Sequence, residues 1–369
     1  MKIYRSVYRG ALLSMGMLLT IGLFTANADD KVKTVEVDCT KGKTIANALE
    51  KGNENKPLVV VVQGTCTENI TITRDDVTLV ADAGGGTVNG TITIRGARRV
   101  VIKGLTVTGS GAGVVGSDNA AFTVEDSVLD RNDTDGIVVQ NGAQATITGN
   151  TITNNGQAAL PDSGRGIYLN NGGSAQITNN TIEDNRSNGI GVFNNAHARI
   201  QQNTIQRNGR LSVFEAGIDV SRARVRADGN IIKNNNWAAI SVSNSSDYRT
   251  GSFLALGDQP DNAFPFEQIE GVGPNKLAVD VGNASYVDLR QVNVRGSVSV
   301  GLQGMLQVRG DNFGPTLQCS TIDFDFPGGF FQVSGFNGFV RLQTVKVTPP
   351  SSIVVFGPSG QILEQNVCP

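Results

Sequence analysis

Short stretches of alternating apolar and polar residues, divided by Asn- and Gly-rich turns, recur through the middle of the chain. Three apolar positions repeat in each period. The columns are Leu129, Ile152, Ile182, Ile205 and Ile232; Ile137, Ile167, Ile190, Ile218 and Ile240, mostly preceded by Gly; and Val124, Ile147, Ile177, Ile200 and Val225. The first column is spaced by 23, 30, 23 and 27 residues, and helical spacing is absent from this region. Each period is therefore expected to contain three short β-strands.

Three short strands in a period of about 22–30 residues are typical of one coil of a parallel β-helix. Stacked coils lie about 4.8 Å apart, so the inward Ile, Val, Leu and Ala side chains form a continuous core. Small residues two positions before the third column support this alternation: Ala145, Ala175, Ala198 and Ala223. The same register places His197 outward, in a column with Gln144, Ser174 and Arg222, as a solvated surface histidine. We predict an all-β solenoid.

Asparagines follow the first apolar column at a constant distance of three residues. They are Asn132, Asn155, Asn185, Asn208 and Asn235. Asparagine tolerates the left-handed turn conformation, and its amide can hydrogen-bond to the equivalent amides of the coils above and below. The repeated phrase "NTI…N" thus predicts a structural ladder and no chemistry.

The ends of the solenoid are expected to be closed, because an open coil exposes strand edges. Residues 44–52, "TIANALEKG", carry Ile45, Ala48 and Leu49 at helical spacing and predict a short N-terminal capping helix. The segment "YVDLRQVNV" at 286–294 recurs as "FVRLQTVKV" at 339–347, about two coils later. We therefore divide the chain into a cap and first coils (29–80), regular coils (81–248), a long loop (249–275) and less regular coils (276–369), all within one domain.

The first 28 residues have the pattern of a secretory signal peptide. Three basic residues precede a short apolar run, and "ANA" follows it. Without this segment the chain keeps all 33 acidic residues and loses three of its 31 basic ones, so its net charge is near −5. That charge argues against a nucleic-acid partner. No second membrane-length segment follows, so we predict an exported protein, secreted or periplasmic, and a monomer.

Four cysteines follow the predicted signal peptide, and an even number in an exported chain favours disulfides. Of the three ways to pair them, Cys39–Cys66 and Cys319–Cys368 are favoured because each pair belongs to one end of the chain.

These motifs resemble bacterial exported proteins of the right-handed parallel β-helix, pectin-lyase-like superfamily. The stretch "GTCTENITITRDDVTLVA" at 64–81 is similar to the opening coils of that group, and the Asn-Thr-Ile coils are similar to its repeat. The resemblance covers most of the chain after residue 28. It implies a right-handed helix, and the superfamily includes pectate lyases, polygalacturonases and mannuronan epimerases, but fold does not fix function.

The signatures of several activities are absent. His197 is the only histidine, so the Gly-His-Gly of polygalacturonase-type hydrolases is missing, and no paired Asp cluster suggests inverting hydrolysis. Copper would favour His and Met ligands, but only His197 and Met305 follow the signal peptide. The acidic stretches 74–76 and 130–135 lack the spacing of a calcium loop. We predict no metal site and no required cofactor, with Ca²⁺ expected only if the protein is a lyase.

Two coils carry insertions at the same corner, "GQAALPDSGRG" (156–166) and "GRLSVFEAG" (209–217), and insertions on one face of a solenoid often form its binding face. Gly191 should leave a notch between Tyr168 and Asp219. The residues predicted to line this groove are Asp162, Arg165, Tyr168, Glu215 and Trp237 as binding residues, with Arg186 and Asp219 as catalytic ones.

This groove predicts a protein that binds, and in one hypothesis modifies, an acidic polysaccharide by lyase- or epimerase-like chemistry. β-Elimination on a uronate needs a base and a group that neutralises the carboxylate. The alternatives are a non-catalytic carbohydrate-binding protein and a purely structural or adhesive surface protein. Whether the chain is an enzyme stays open at this point, with hydrolysis the least favoured activity.

Overall fold

The computed structural model describes most of the chain beyond residue 31. The described residues are 32–51, 56–158, 160, 163–210, 215–243, 252–256, 267–272, 276–282, 284–290, 292–301, 304–309, 320–323, 331–334, 339–343, 345–348, 353–356 and 361–365. The predicted signal peptide lies outside them.

The chain forms short strands in succession, with one short helix near the start. In chain order the elements are β1 (Lys33–Asp38), α1 (Ile45–Glu50), β2 (Leu58–Cys66), β3 (Ile70–Ile72), β4 (Val77–Asn89), β5 (Ile92–Arg95), β6 (Arg98–Lys103), β7 (Thr106–Gly109), β8 (Val114–Ser117), β9 (Ala121–Glu125), β10 (Val128–Asn132), β11 (Ile137–Gln140), β12 (Gln144–Thr148), β13 (Thr151–Thr153), β14 (Ile167–Asn170), β15 (Ser174–Thr178), β16 (Thr181–Glu183), β17 (Ile190–Phe193), β18 (His197–Gln201), β19 (Thr204–Gln206), β20 (Ala216–Ser221), β21 (Arg224–Asp228), β22 (Ile231–Lys233), β23 (Ala238–Ser243), β24 (Phe253–Leu256), β25 (Glu267–Gly271), β26 (Leu277–Val281), β27 (Tyr286–Arg290), β28 (Val292–Val300), β29 (Met305–Arg309), β30 (Ser320–Asp323), β31 (Phe331–Ser334), β32 (Phe339–Gln343), β33 (Val345–Thr348), β34 (Ile353–Phe356) and β35 (Gln361–Gln365). A 3-10 turn, Cys39–Lys41, precedes α1.

These strands pair in parallel and form three stacks. The A stack runs through β6, β9, β12, β15, β18, β21, β24, β27, β29, β32 and β35; the B stack through β7, β10, β13, β16, β19, β22 and β25; and the C stack through β5, β8, β11, β14, β17, β20, β23 and β26. Strand β28 bends and contributes to the B and C stacks. The result is an all-β parallel solenoid of about 11 turns, which confirms the predicted fold class.

Inward side chains of successive coils stack in register to form the core. Ile147, Ile177 and Ile200 pair directly in the A stack, and all three are fully buried. Each buried aliphatic side chain of this size contributes about 1.5–3 kcal/mol relative to an exposed one. Together these side chains make the hydrophobic axis of the solenoid.

One predicted register is wrong in the coil that contains β21. Ile200 pairs with Ala227 and Ala198 pairs with Val225, so the alignment of Val225 with Ile200 was two residues off. Because side chains alternate with a period of two, this error keeps the inward face correct. It does change the outward neighbour of His197, which is Arg224 and not Arg222.

In five C-stack strands, a glycine directly before the first inward Ile or Val leaves room for the neighbouring coil. A β-carbon at Gly189 would lie 2.6 Å from Ile205 Cγ2, 2.7 Å from the Gly217 carbonyl oxygen and 2.8 Å from Asn208 Nδ2. These distances are too short for any larger residue without displacement of the next coil. The same approach recurs at Gly113, Gly136, Gly166 and Gly217.

Two asparagine ladders hold the corners, one more than the sequence predicted. In the expected ladder, Nδ2 of Asn132, Asn155, Asn185 and Asn208 donates to Oδ1 of the asparagine in the following coil at 2.8–3.1 Å. A second ladder, at the corner between the A and B stacks, contains Asn150, Asn180, Asn203 and Asn230. Both ladders come from the same repeated phrase. The asparagine of the second ladder directly precedes the Thr or Ile, and that of the first ladder follows this Thr or Ile by four residues. Both ladders are buried.

The N-terminal cap forms as predicted. Helix α1 begins after Thr44, whose side chain accepts from the Asn47 backbone N–H, and Glu68 accepts from the first two helical N–H groups, those of Ile45 at 2.7 Å and Ala46 at 3.0 Å. A carboxylate at a helix N-terminus satisfies donors that have no intrahelical partner. The Cys39–Cys66 disulfide ties the cap to β2. The proposed Cys319–Cys368 pair lies outside the described residues.

The stretch 249–275 is not one long loop, which corrects the prediction. It contributes β24 to the A stack and β25 to the B stack, so the solenoid continues through it. Pro and Gly residues between these two short strands obscured the period of two. Further on, Tyr286 pairs with Met305 and Met305 pairs with Phe339, so the two similar C-terminal segments are two coils apart, as expected.

In the described part of the chain, none of the helices has the length and apolar character needed to cross a membrane.

Candidate functional site

The predicted corner groove corresponds to the outward face of the C stack. Parallel pairing places Tyr168, Gly191, Asp219 and Ser241 side by side on β14, β17, β20 and β23. Because outward positions of paired strands stack directly, these four positions form one column across the coils. The sequence placed the first three in that order.

Arg165 crosses this column and occupies the predicted notch. A β-carbon at Gly191 would lie 3.1 Å from Arg165 Cδ and 2.5 Å from Phe193 Cε2, so the missing side chain makes room for both. The guanidinium carbon of Arg165 lies 4.4 Å from the centre of the Tyr168 ring and 5.5 Å from that of Phe193. Such cation–π contacts favour a partly desolvated arginine. Because Gly191 has no side chain, Arg165 can extend across it toward Asp219.

Asp135 fixes the segment that carries Arg165. Its Oδ1 accepts backbone N–H bonds from Gly164 at 3.0 Å and Arg165 at 2.7 Å, and lies 3.8 Å from Arg165 Nη1. Burial raises the pKa of Asp135, and Arg165 and the two backbone N–H groups oppose that rise. This carboxyl was not among the predicted site residues, because only the fold brings it next to the coil that follows.

Asp219 lies in a poorly solvated position with a second carboxyl nearby. Burial and, next, the charge of Glu215 raise the pKa of Asp219 to about 7, against the charge of Arg165 and hydrogen bonds with Ser241 and Asn188. Asn188 Nδ2 donates to Asp219 Oδ2 at 3.3 Å. A carboxyl with this pKa exchanges its proton near neutral pH, which is the property that general acid–base catalysis requires.

Glu215 is held by the neighbouring coil. Its Oε2 accepts from Ser187 Oγ at 2.8 Å, and the Asn188 side-chain oxygen accepts the backbone N–H of Ala216 at 2.5 Å. Ser187 and Asn188 thereby orient both carboxyls.

The remaining predicted residues lie around this cluster or outside the described chain. Arg186 is half-buried, and its Cβ packs against the corner glycines Gly156 and Gly164. Trp237 is half-buried, and its backbone N–H donates to the Glu215 carbonyl at 3.1 Å, so it occupies the same corner one coil later. Asp162 lies outside the described residues. The structure thus brings Arg165, Tyr168, Glu215 and Asp219 together, with Arg186 and Trp237 at the edge.

The raised pKa of Asp219 predicts a specific dependence of stability on pH. A native state that binds this proton more tightly than the unfolded chain loses that stability as the pH rises from about 4 to about 7. We expect Asp219→Asn to gain stability relative to the unmodified protein between pH 4 and pH 8, by about 2 kcal/mol after allowance for partial solvent access. Urea unfolding of both proteins at the two pH values measures this change.

The exposed Asp118, which pairs with Arg95, provides the control. Asp118→Asn should show the same stability difference from the unmodified protein at both pH values. If the stability difference between Asp219→Asn and the unmodified protein were also the same at both pH values, the raised pKa of Asp219 would be contradicted.

Comparisons with known proteins agree with this fold. The parallel β-solenoid agrees with the resemblance of the sequence to pectin-lyase-like β-helix proteins. Residues 50–252, more than half of the chain, match the family described as "Periplasmic copper-binding protein (NosD)", and the chain belongs to this family. No curated protein matches the sequence significantly.

Solved structures with similar coils include enzymes that act on polysaccharides. A pectate lyase, Pel9A, is 12% identical with a TM-score of 0.40, over 90% of this chain and 80% of its own. The A-module of the Azotobacter vinelandii mannuronan C-5 epimerase AlgE6 is 13% identical with a TM-score of 0.46, over 87% and 92%. A catalytic domain of a GH87 α-1,3-glucanase is 16% identical with a TM-score of 0.42, over 92% and 69%.

The copper in the family description does not fit the described residues. Copper favours imidazole, thiolate and thioether ligands. His197 and Met305 lie in one outward column of the A stack but four coil steps apart, about 19 Å at the spacing of paired strands. Cys39 and Cys66 lie near Glu68, but their sulfur atoms are bonded to each other. The described part of the chain therefore brings no pair of soft ligands together.

Proposed function

We propose that this member of a periplasmic protein family binds an acidic polysaccharide along the outward face of the C stack and removes a proton from the bound sugar. The observation that supports this is the position of Asp219, which lies in one outward column with Tyr168 and Gly191 and accepts from Asn188 Nδ2 at 3.3 Å. Burial and the charge of Glu215 raise the pKa of this carboxyl to about 7. A base of this kind can remove the proton next to the carboxylate of a uronic acid near neutral pH. The glycan-active enzymes with similar coils agree with the proposed substrate class.

In the proposed reaction, ionised Asp219 takes the proton from the carbon that bears the uronate carboxylate. The electron pair left behind either expels the glycosidic oxygen, which takes a proton from water and leaves as the hydroxyl of a new chain end beside an unsaturated sugar, or takes a proton from water on the opposite face, which inverts that centre. The first outcome is that of a lyase and the second that of an epimerase.

Two cations are placed to oppose the negative charge that develops on the sugar. Arg165 extends across Gly191 toward Asp219, and Arg186 lies at the corner next to Ser187. Tyr168 and Trp237 offer aromatic surfaces along the same corner, where a sugar ring can stack. No metal ion is part of this proposal.

The test measures proton exchange with D₂O as well as chain cleavage, because an epimerase exchanges the proton without cleaving the chain. The purified protein is incubated with polygalacturonate or polymannuronate in D₂O, and proton NMR follows both unsaturated chain ends and loss of the signal of the proton next to the carboxylate. We expect one of these changes, with neutral dextran unchanged. Retention on the polymers without either change would replace the enzyme with a non-catalytic binding protein. Absence of retention as well would favour the structural or adhesive alternative.

A further inference from the structure

A second surface, on the outward face of the A stack, concentrates positive charge. A groove of about 610 Å³ is lined by β15, β18, β21 and β24. Its polar side chains include Gln176, His197, Arg199, Arg224 and Arg226, all of which are exposed. The sequence prediction did not recognise this set because the two-residue register error removed Arg224 from the column of His197.

The basic residues form a two-by-two array. His197 pairs with Arg224, and Arg199 pairs with Arg226, on adjacent parallel strands. Neighbouring strands are about 4.8 Å apart, and outward residues two positions apart on one strand are separated by about 6.6 Å. The array therefore presents three guanidinium groups and one imidazole about 5–7 Å apart, within reach of several anionic groups of one extended polymer.

Ion pairs within the described part of the chain do not balance this array. Within the described residues, the three arginines take part in no ion pair with an Asp or Glu, although other arginines of the solenoid do: Arg99 with Asp75 and Asp76, and Arg207 with Glu183 and Asp184. Like charges on adjacent strands repel one another. In a chain of formal net charge −2, such a patch is a local exception. Guanidinium groups bind carboxylate and sulfate oxygens in pairs, so an anionic ligand would relieve the repulsion.

Aromatic rings continue one column of the array. Arg224 pairs with Phe253, and Phe253 pairs with Tyr286. The two rings stack at 5.5 Å between centres and 22° between planes. Flat aromatic surfaces beside polar groups are suited to the apolar face of a sugar ring. A basic array with an aromatic platform thus favours a charged sugar polymer over a small inorganic anion.

A second groove extends the surface in the other direction, and Arg99, which lines it, is paired with Asp75 and Asp76. It is about 360 Å³ in volume and shares Ser174 and Gln176 with the basic groove. Its outward side chains include Thr123, Gln144 and Thr146, which offer hydroxyl and amide groups. These are hydrogen-bonding partners for sugar hydroxyls. The combined surface runs across strands β6 to β24, about 29 Å at the spacing of paired strands.

We propose that the A-stack groove is a binding site for an acidic polysaccharide, with its carboxylate or sulfate groups on Arg199, Arg224 and Arg226 and the polymer lying across the strands. This site lies on a different face of the solenoid from Asp219. It would hold a polymer whether or not the C stack performs chemistry, so the proposal does not depend on the proposed reaction.

The test compares two triple variants with equal loss of charge. Arg199→Gln, Arg224→Gln and Arg226→Gln together remove the array, whereas Arg95→Gln, Arg131→Gln and Arg207→Gln remove three exposed arginines elsewhere. Affinity electrophoresis in gels containing polygalacturonate, dextran sulfate or neutral dextran gives the dissociation constant for each polymer. Circular dichroism melting verifies that both variants fold.

We expect the groove variant to bind the preferred anionic polymer at least about tenfold more weakly, because charged hydrogen bonds are lost, while the control changes by less than about twofold. Comparison of polygalacturonate with dextran sulfate distinguishes carboxylate from sulfate recognition. Equal weakening in both variants would overturn the site, as would binding by the unmodified protein only to duplex DNA or to phosphatidylglycerol vesicles. Because Asp219 is intact in both variants, the deuterium assay with short uronate oligomers reports separately on the C-stack proposal.

Discussion

Replacement of Asn185 by alanine is expected to lower the free energy of unfolding by about 4 kcal/mol, because it leaves several buried polar groups without partners. Asn185 Nδ2 donates to the Ile152 carbonyl at 3.0 Å and to Asn208 Oδ1 at 2.9 Å. Its Oδ1 accepts from the backbone N–H and Nδ2 of Asn155 at 3.1 and 2.8 Å. The side chain is fully buried, so water cannot replace these bonds without entering the coil. Urea unfolding followed by circular dichroism measures the loss.

Asn179→Ala is the matched control for this experiment. Asn179 is exposed and has a positive φ of 57°, so its replacement should lower stability by about 1 kcal/mol through backbone strain alone. If Asn185→Ala had an effect no larger than Asn179→Ala, the ladder would not be a main source of stability.

Asp219→Asn is expected to lower turnover of the acidic polymer by about 10²–10⁴-fold, because the amide cannot accept the proton. The deuterium assay measures this rate directly. Asp118→Asn removes a carboxylate of similar size from the exposed surface and should leave the rate unchanged. An active Asp219→Asn protein would exclude this carboxyl as the base.

The dependence of the rate on pH provides a further check on the same site. Glu215 raises the pKa of Asp219, so Glu215→Gln should lower that pKa and move the rise of activity to lower pH. A merely structural role for Glu215 would reduce the rate without moving this profile.

The regular coils were accessible from the sequence because one physical rule applies to every period. Inward Ile, Val and Ala must alternate with outward polar residues, and a corner that lets coils stack closely must contain Gly or Asn. The second asparagine ladder obeys the same rule, and its signal stood in the sequence at Asn150, Asn180, Asn203 and Asn230. The strands at 253–256 and 267–271 were missed because both are short and the second has one apolar side chain, Ile269, so they carry too little periodicity.

The candidate sites were harder to predict because they depend on register between coils of unequal length. The corner column was found, since Tyr168 and Asp219 lie next to clearly aligned isoleucines. Asp135 was missed because its partner, Arg165, lies 30 residues later. The basic array was missed because Val225 and Ala227 both fit the inward position, and only backbone pairing decides between them. Either residue can occupy the inward position, so the hydrophobic pattern predicts which side chains point inward. It does not predict which outward side chains are neighbours on adjacent strands.

Every amide of the asparagine ladders points the same way along the solenoid. Between neighbouring members, Nδ2 of one asparagine donates to Oδ1 of the asparagine in the following coil, while the second Nδ2 hydrogen bonds to a carbonyl of the preceding coil. The Oδ1 of Asn132, the first member of its ladder, has no hydrogen-bond partner among the described residues. The ladder therefore has a direction, and any coil carrying the same two asparagines can follow any other. Gain or loss of one whole coil would keep both ladders continuous, whereas gain or loss of a few residues within a strand would interrupt them. Length in this protein is thus a modular property that evolution can change in units of one turn, and the spacing of its surface sites along the axis changes in the same units.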